Sequence, residues 1–208
     1  LKDYPDVIKE SSLKRNAIAR VAGGVPAMCD GITQGEPGME LSLFSRDVIA
    51  LSTAVGLSHN VFDAAICLGV CDKIVPGMVI GSLSFGHLPI AFIPAGPMPT
   101  GISNADKNVV RKKFANGEVD RSTLISSEQA AYHSSGTCTF YGTANTNQLI
   151  MEVMGLQLPS SSFVSPESAE RQLIIDRTVQ AVLDLKNKGM KTGEMLSSKS
   201  WVNGMVGL

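Results

Sequence analysis

Ala64-Ala-Ile-Cys-Leu-Gly-Val-Cys-Asp-Lys73 is the stretch that decides the fold. Its first seven residues are apolar and rich in β-branched and aliphatic side chains, the composition of a strand buried on both faces of a parallel sheet. The run ends in Cys71-Asp72-Lys73, a soft ligand, a hard ligand and an amine in succession. Pro76-Gly77 follows and predicts a turn. In open α/β sheets, ligands sit beyond the carboxyl ends of the strands. The triplet therefore reads as chemistry delivered by a strand end.

The flanking sequence alternates helical and strand-like patterns. Lys9–Arg20 predicts a short polar helix, and Gly31–Gly38 a glycine-rich loop. Apolar residues at 41, 44, 48, 49, 51 and 55 give Met39–Leu57 a helical period. After the strand Ala64–Val70 come a helix over Met78–Phe85 and a second strand, Pro89–Pro94. Ala105–Asn116 reads as a charged surface helix stopped by Gly117. Ser122–His133 is a further helix with Ser122 as its cap. The small-residue loop Gly136–Asn145 opens a helix over Thr146–Met154, and Glu167–Asn187 forms a long amphipathic one. Helices alternating with short buried strands predict an α/β fold, a three-layer α/β/α domain with a mostly parallel sheet.

Composition narrows the function. The chain has 208 residues, 44% hydrophobic and 18% charged, enough for one sizeable core and unlike a disordered segment. A net charge of −1 gives no footprint for nucleic acid. No apolar run approaches the roughly 18 residues of a membrane span, and no signal-peptide pattern opens the chain. Leu1 in place of an initiator Met, and the apolar ending Trp201–Leu208, suggest part of a longer protein. Four cysteines, at 29, 67, 71 and 138, are too sparse for a disulfide scaffold and fit a reducing cytoplasm. Cys67, inside the apolar run, is expected to be a small buried hydrophobe.

Three loops put ligand-grade side chains among glycines: Cys29-Asp30-Gly31, Cys71-Asp72-Lys73 and Gly136-Thr137-Cys138. They are expected to converge at one edge of the sheet. No Cys-x-x-Cys pair occurs, so a metal site must be assembled from distant loops. Thiolates at Cys71 and Cys138 suit a soft centre such as an iron–sulfur cluster. Carboxylates at Asp30 and Asp72 suit a hard cation such as Mg²⁺. Lys73 reads as a general base, a phosphate ligand or an ion-pair partner of Asp72. His59, His87 and His133 each fall at a predicted helix end, where an imidazole stabilises the terminal carbonyls.

Five phrases carry a resemblance: Gly23-Gly-Val-Pro-Ala-Met-Cys-Asp-Gly31, Met39-Glu-Leu-Ser-Leu-Phe-Ser-Arg-Asp47, Cys71-Asp-Lys73, Gly96-Pro-Met98 and Gly136-Thr-Cys-Thr-Phe-Tyr-Gly-Thr-Ala-Asn145. Together they resemble the dihydroxy-acid and 6-phosphogluconate dehydratase family over nearly the whole chain. Met28–Gly35 and Thr137–Asn147 look like its 6-phosphogluconate branch, since the other branch usually has Ser before the first Asp-Gly. The resemblance implies that residues 1–208 are part of the N-terminal α/β/α domain of a longer dehydratase. It implies an upstream segment and a β-rich C-terminal domain outside this chain, including the serine proposed as base in the related branch. Cys71 and Cys138 match cluster cysteines, with 4Fe–4S favoured over 2Fe–2S. Asp30 and Asp72 match Mg²⁺ carboxylates, and Lys73 matches a catalytic lysine that is carbamylated in the related branch.

The implied reaction is dehydration of 6-phospho-D-gluconate, a phosphorylated sugar acid of the Entner–Doudoroff pathway, by a cytoplasmic homodimer. The same machinery acting on a dihydroxy acid or an unphosphorylated sugar acid is the alternative. A non-catalytic iron–sulfur scaffold would explain the cysteines but not the neighbouring aspartates and lysine. Thr143, Asn145 and the helix start that follows are a candidate phosphate cradle.

Overall fold

The structure, a computed structural model, describes residues 1–24, 27, 33, 35–99, 101–131, 134–138 and 143–208. Two parallel strands, β1 (Ala65–Gly69) and β2 (Ile90–Pro94), form the sheet found among these residues, with Cys67 opposite Phe92 and Leu68 opposite Ile93. Parallel neighbours need a crossover. Here the connection runs through a helix spanning Cys71–Leu83. The preceding helices are α1 (Tyr4–Leu13) and α2 (Glu40–Leu57), which makes the crossover helix α3. Beyond β2 follow α4 (Asn104–Ala115), α5 (Arg121–Ala131), α6 (Ala144–Val153), α7 (Ala169–Asn187), the single turn α8 (Thr192–Met195) and α9 (Ser198–Gly207).

Strand alternation sorts the core into two halves. Ala65, Cys67, Ile90 and Phe92 face α3 and α6, where they pack with Val75, Val79, Met151 and Met154. Ile66, Leu68 and Ile93 face α1 and α7, where they meet Tyr4, Ile8, Ile175 and Val179. Each fully buried aliphatic side chain of this kind contributes about 1.5–3 kcal/mol. Helices on both faces of a parallel pair make the expected α/β/α layering. The sheet is extended by the bridge between Phe92 and Gln157, where the Phe92 N–H donates to the Leu156 carbonyl at 2.7 Å.

The segment after β1 departs from the sequence expectation. Cys71-Asp72-Lys73 does not close a strand but forms the first turn of α3, which the sequence pattern starts only at Met78. Pro76 lies inside this helix. It has no N–H to offer, so it leaves the Asp72 carbonyl without that helical bond. Gly77 is not a turn residue. A Cβ on Gly77 would lie 2.7 Å from the Arg46 carbonyl oxygen, and one on Gly81 would lie 2.5 Å from that of Ala50. Both pairs are four residues apart, so one face of α3 lies directly on the backbone of α2.

Other boundaries move for local reasons. The first helix begins at Tyr4, with Pro5 in its first turn, and ends before Asn16, whose φ of +54° breaks the helical path. Arg15 then forks onto both carboxylate oxygens of Asp176 in α7, at 2.8 and 2.7 Å. Asp120 rather than Ser122 caps α5, accepting the Thr123 N–H at 2.8 Å. Hydrogen bonds from Thr123 and Ser122 hold its carboxyl down at about 2. Ser168 caps α7 through the Arg171 N–H, which delays that helix to Ala169. His59 sits at the end of α2 with Nδ1 3.2 and 3.1 Å from the Val55 and Gly56 carbonyls, as expected of a helix-end imidazole. His133 lies outside the described residues.

Two outcomes are expected. Helix propensity alone says that Gly81→Ala stabilises a helix by roughly 1 kcal/mol. The contact with α2 reverses the sign, and chemical denaturation should show a loss of about 1–3 kcal/mol. The second concerns Glu152 of α6, which accepts the backbone N–H groups of Ser160, Ser161 and Ser162 and the Ser162 hydroxyl. Partial burial raises its pKa, but these hydrogen bonds outweigh that and hold the carboxyl below its ordinary value. Its stabilisation is therefore present above the ordinary glutamate range and lost as pH falls through the lowered pKa. Glu152→Gln should destabilise by about 1–3 kcal/mol at neutral pH, a gap that closes in acid-titrated melts.

Candidate functional site

Residues beyond the carboxyl ends of β1 and β2 form the candidate site. β1 leads through Val70 into Cys71, and β2 leads through Ala95 into Gly96-Pro97-Met98. Gly96 turns with φ +81°. Its carbonyl accepts the Thr137 N–H at 2.8 Å, and the Met98 N–H donates to the Thr137 carbonyl at 3.0 Å. A short parallel bridge thus lays Thr137, and with it Cys138, alongside the strand end. Two of the three predicted loops meet there. The third, Cys29-Asp30-Gly31, lies outside the described residues, so Asp30 and Cys29 have no assigned position.

Cys71 and Cys138 are both half-buried free thiols. They are close enough for the charge on Cys138 to act on Cys71. Burial pushes the Cys71 thiol up, Asp72 and Cys138 push it the same way, and Lys73 opposes them. Cys71 also has a backbone φ of +77°, a left-handed conformation that side chains with a Cβ rarely adopt. Strain of this kind costs about 1–3 kcal/mol and concentrates at functional sites. Cys67 behaves oppositely. It is buried, lies 3.7 Å from the Ser82 hydroxyl and has its thiol pushed up to about 11 by desolvation, so it is a core residue as expected.

Lys73 is 1% exposed, and its Nζ donates to Asp72 Oδ1 at 2.6 Å. A cation removed from water needs such a partner. The ion pair weighed for Lys73 in the sequence is therefore present. It also directs the Asp72 carboxylate, whose side chain keeps 27% of its exposure. Cys71 and Asp72 both occupy the first turn of α3, where the helix dipole favours negative charge. Among the described residues no three acidic, Cys or His side chains form a ready metal cage. The donor chemistry nevertheless fits the groups expected from the sequence: two neighbouring thiols suit a soft iron centre, and an oriented carboxylate suits a hard cation.

Asn145, by sequence a candidate for the phosphate cradle, has other work in the structure. Its side chain is buried, its Oδ1 accepts the Thr137 hydroxyl, and its Nδ2 donates to the Cys138 carbonyl at 3.1 Å. Both ends are spent on the cysteine loop. Sequence reading missed this because an Asn opening a helix after a glycine-rich loop has the same local pattern in either role.

The Cys71 strain has a measurable consequence. In the complete protein freed of metal, Cys71→Gly should be more stable than Cys71→Ala by about 1 kcal/mol, because glycine alone relieves the positive φ. Equal melting of the two variants would remove the strain.

Comparison with known proteins adds an independent finding. The whole chain, residues 1–208, matches the family model described as dihydroxy-acid/6-phosphogluconate dehydratase, N-terminal. The chain is 59% identical over 208 residues to a phosphogluconate dehydratase of Pseudomonas aeruginosa and 55% identical over 208 residues to one of Escherichia coli K12, each alignment taking in 99% of this chain and 34% of the relative. A dihydroxy-acid dehydratase of Akkermansia muciniphila is 37% identical over 179 residues, covering 80% of this chain and 32% of that protein. The chain thus spans about a third of the length of the curated relatives it matches.

Proposed function

The chain belongs to the dihydroxy-acid/6-phosphogluconate dehydratase family, and from that premise we propose that the complete protein removes water from 6-phospho-D-gluconate to give 2-dehydro-3-deoxy-6-phospho-D-gluconate. The observation that carries this reading is the meeting of Cys71 and Cys138 at the ends of two parallel strands, with Asp72 and Lys73 in the same helical turn. The substrate assignment is supported by identity to phosphogluconate dehydratases of 55–59%, against 37% to a dihydroxy-acid dehydratase.

The reaction meets two obstacles. The C2 proton beside a carboxylate is weakly acidic, and hydroxide is a poor leaving group from C3. Both call for fixed positive charge where negative charge develops. Cys71 and Cys138 would hold an iron–sulfur cluster, 4Fe–4S in our reading, and Asp30 and Asp72 would hold Mg²⁺; when bound, these groups would supply Lewis acidity toward the departing hydroxyl and the substrate carboxylate. The side chains do the positioning. Cys71 is fixed by the strained start of α3 and Cys138 by the Gly96–Met98 strap and Asn145. Lys73, assigned as the catalytic lysine, directs the Asp72 carboxylate from the dry side of the site and keeps that carboxylate's charge balanced.

Among the described residues no helix is long and apolar enough to cross a membrane. The proposal includes a cytoplasmic homodimer acting on a small phosphorylated sugar acid, with neither membrane nor nucleic acid as partner.

Replacing Cys71 or Cys138 by Ser in the complete protein, purified without oxygen, should strip iron and the visible absorption of the cluster. Turnover of 6-phosphogluconate should fall by at least about 100-fold. Asp72→Asn should lose turnover with the iron retained. Full iron and full turnover in the serine variants would defeat the cluster assignment, and unchanged kinetics in Asp72→Asn would defeat that of the cation.

A further inference from the structure

Of the polar side chains that helix α6 buries, Asn145 and Gln148 lie three residues apart and so on one face. Asn145 holds the cysteine loop directly. Gln148 is 1% exposed, and its Oε1 accepts the Gly96 N–H at 3.0 Å, while its Nε2 has no hydrogen-bond partner among the described residues. Against Gly96 also lies Arg171, fully buried. Its Nη2 donates to the Ser161 and Val164 carbonyls at 2.9 and 2.6 Å, and its Nε and Nη1 have no partner among the described residues.

Gly96 has no room to move. A Cβ there would lie 1.9 Å from the Val164 carbonyl oxygen and 2.8 Å from Arg171 Nη2. Burying donors without partners is costly, and well-packed apolar residues are often as stable or more so. Packing therefore does not explain a buried amide and a buried guanidinium at this spot. What they achieve is a single position for Gly96. From Gly96 the path is short: its carbonyl holds the Thr137 N–H, and the next residue is Cys138.

We infer that Gln148, backed by Arg171, is a positioning residue that fixes Gly96 and thereby sets where the Cys138 thiol is delivered. The inference rests on the reading of Cys138 as a cluster ligand and extends it to residues that touch neither cluster nor substrate. Outer-shell partners of this kind typically change metal affinity by about 10–100-fold when lost.

The test uses the complete protein, purified without oxygen, as wild type, Gln148→Met, Gln148→Glu and Cys138→Ser. Iron per folded chain is measured under chelator competition, together with the visible circular dichroism of the cluster and the melting of the metal-free form. Gln148→Met keeps the volume but removes the acceptor. It should lose iron about tenfold more readily and shift the visible dichroism, beyond the modest fall in metal-free melting that one unpaired Gly96 N–H produces. Gln148→Glu keeps an acceptor for the Gly96 N–H and should hold iron nearly as the wild type does. If the methionine variant does not fold, the glutamate variant decides: retained iron supports the role, and a folded protein without iron overturns it.

The inference also fails if Gln148→Met keeps wild-type iron and dichroism, or if its iron falls only in step with its folded fraction. Cys138→Ser separates the two levels. If it keeps its iron, the cluster reading itself fails. If it loses iron while Gln148→Met does not, only the positioning role falls.

Discussion

Two parallel strands cannot be joined by a hairpin, and the rest of the architecture follows from that constraint. The chain leaves β1 at Gly69, must cross to the opposite end of the sheet to start β2 at Ile90, beside Ala65, and does so through α3. The carboxyl end of β1 and the amino end of the crossover helix are therefore the same place. Cys71, Asp72 and Lys73 occupy it, so the triplet sits on a helical turn and not on a free loop. The helix is held in turn by α2, whose backbone at Arg46 and Ala50 fills the space that side chains at Gly77 and Gly81 would need.

The second thiol arrives by a different route. Cys138 belongs to no regular element, and its place is borrowed from the segments around it. The strap after β2 holds Thr137 by two backbone hydrogen bonds, and α6 holds the Cys138 carbonyl through Asn145. The loop before α7 closes on Gly96 through Arg171. Tyr4 of α1 ties in as well, donating its hydroxyl to the Ala95 carbonyl at 3.2 Å. A site made of distant segments is precise only if each segment is separately fixed, and here the fixing groups are polar and buried.

Much of this was legible in the chain. Both strands, the helix over 40–57 and the charged helix over 104–115 lie within a residue or two of their predicted limits, because apolar period and helix stops are local signals. Cys67 reads correctly as core for the same reason. The errors share a cause. Pro76-Gly77 has the local grammar of a turn, yet the glycine is there for a neighbouring helix that only packing reveals. Asn145 has the grammar of an anion cradle, yet its amide is spent on a loop folded back across it. Gln148 and Arg171 carry no motif, and nothing local marks them as more than polar residues in amphipathic helices.

By itself the sequence determined most of the elements that form, which side chains have ligand-grade chemistry, and the family to which the chain belongs, since propensity, periodicity and motif are properties of contiguous residues. The tertiary structure decided that the Cys71 triplet begins a helix, that Cys138 joins it from a segment 67 positions away, and that glycines and buried amides hold the two together. Those outcomes depend on close approach between segments remote in the chain, and close approach leaves no periodic trace in any one of them.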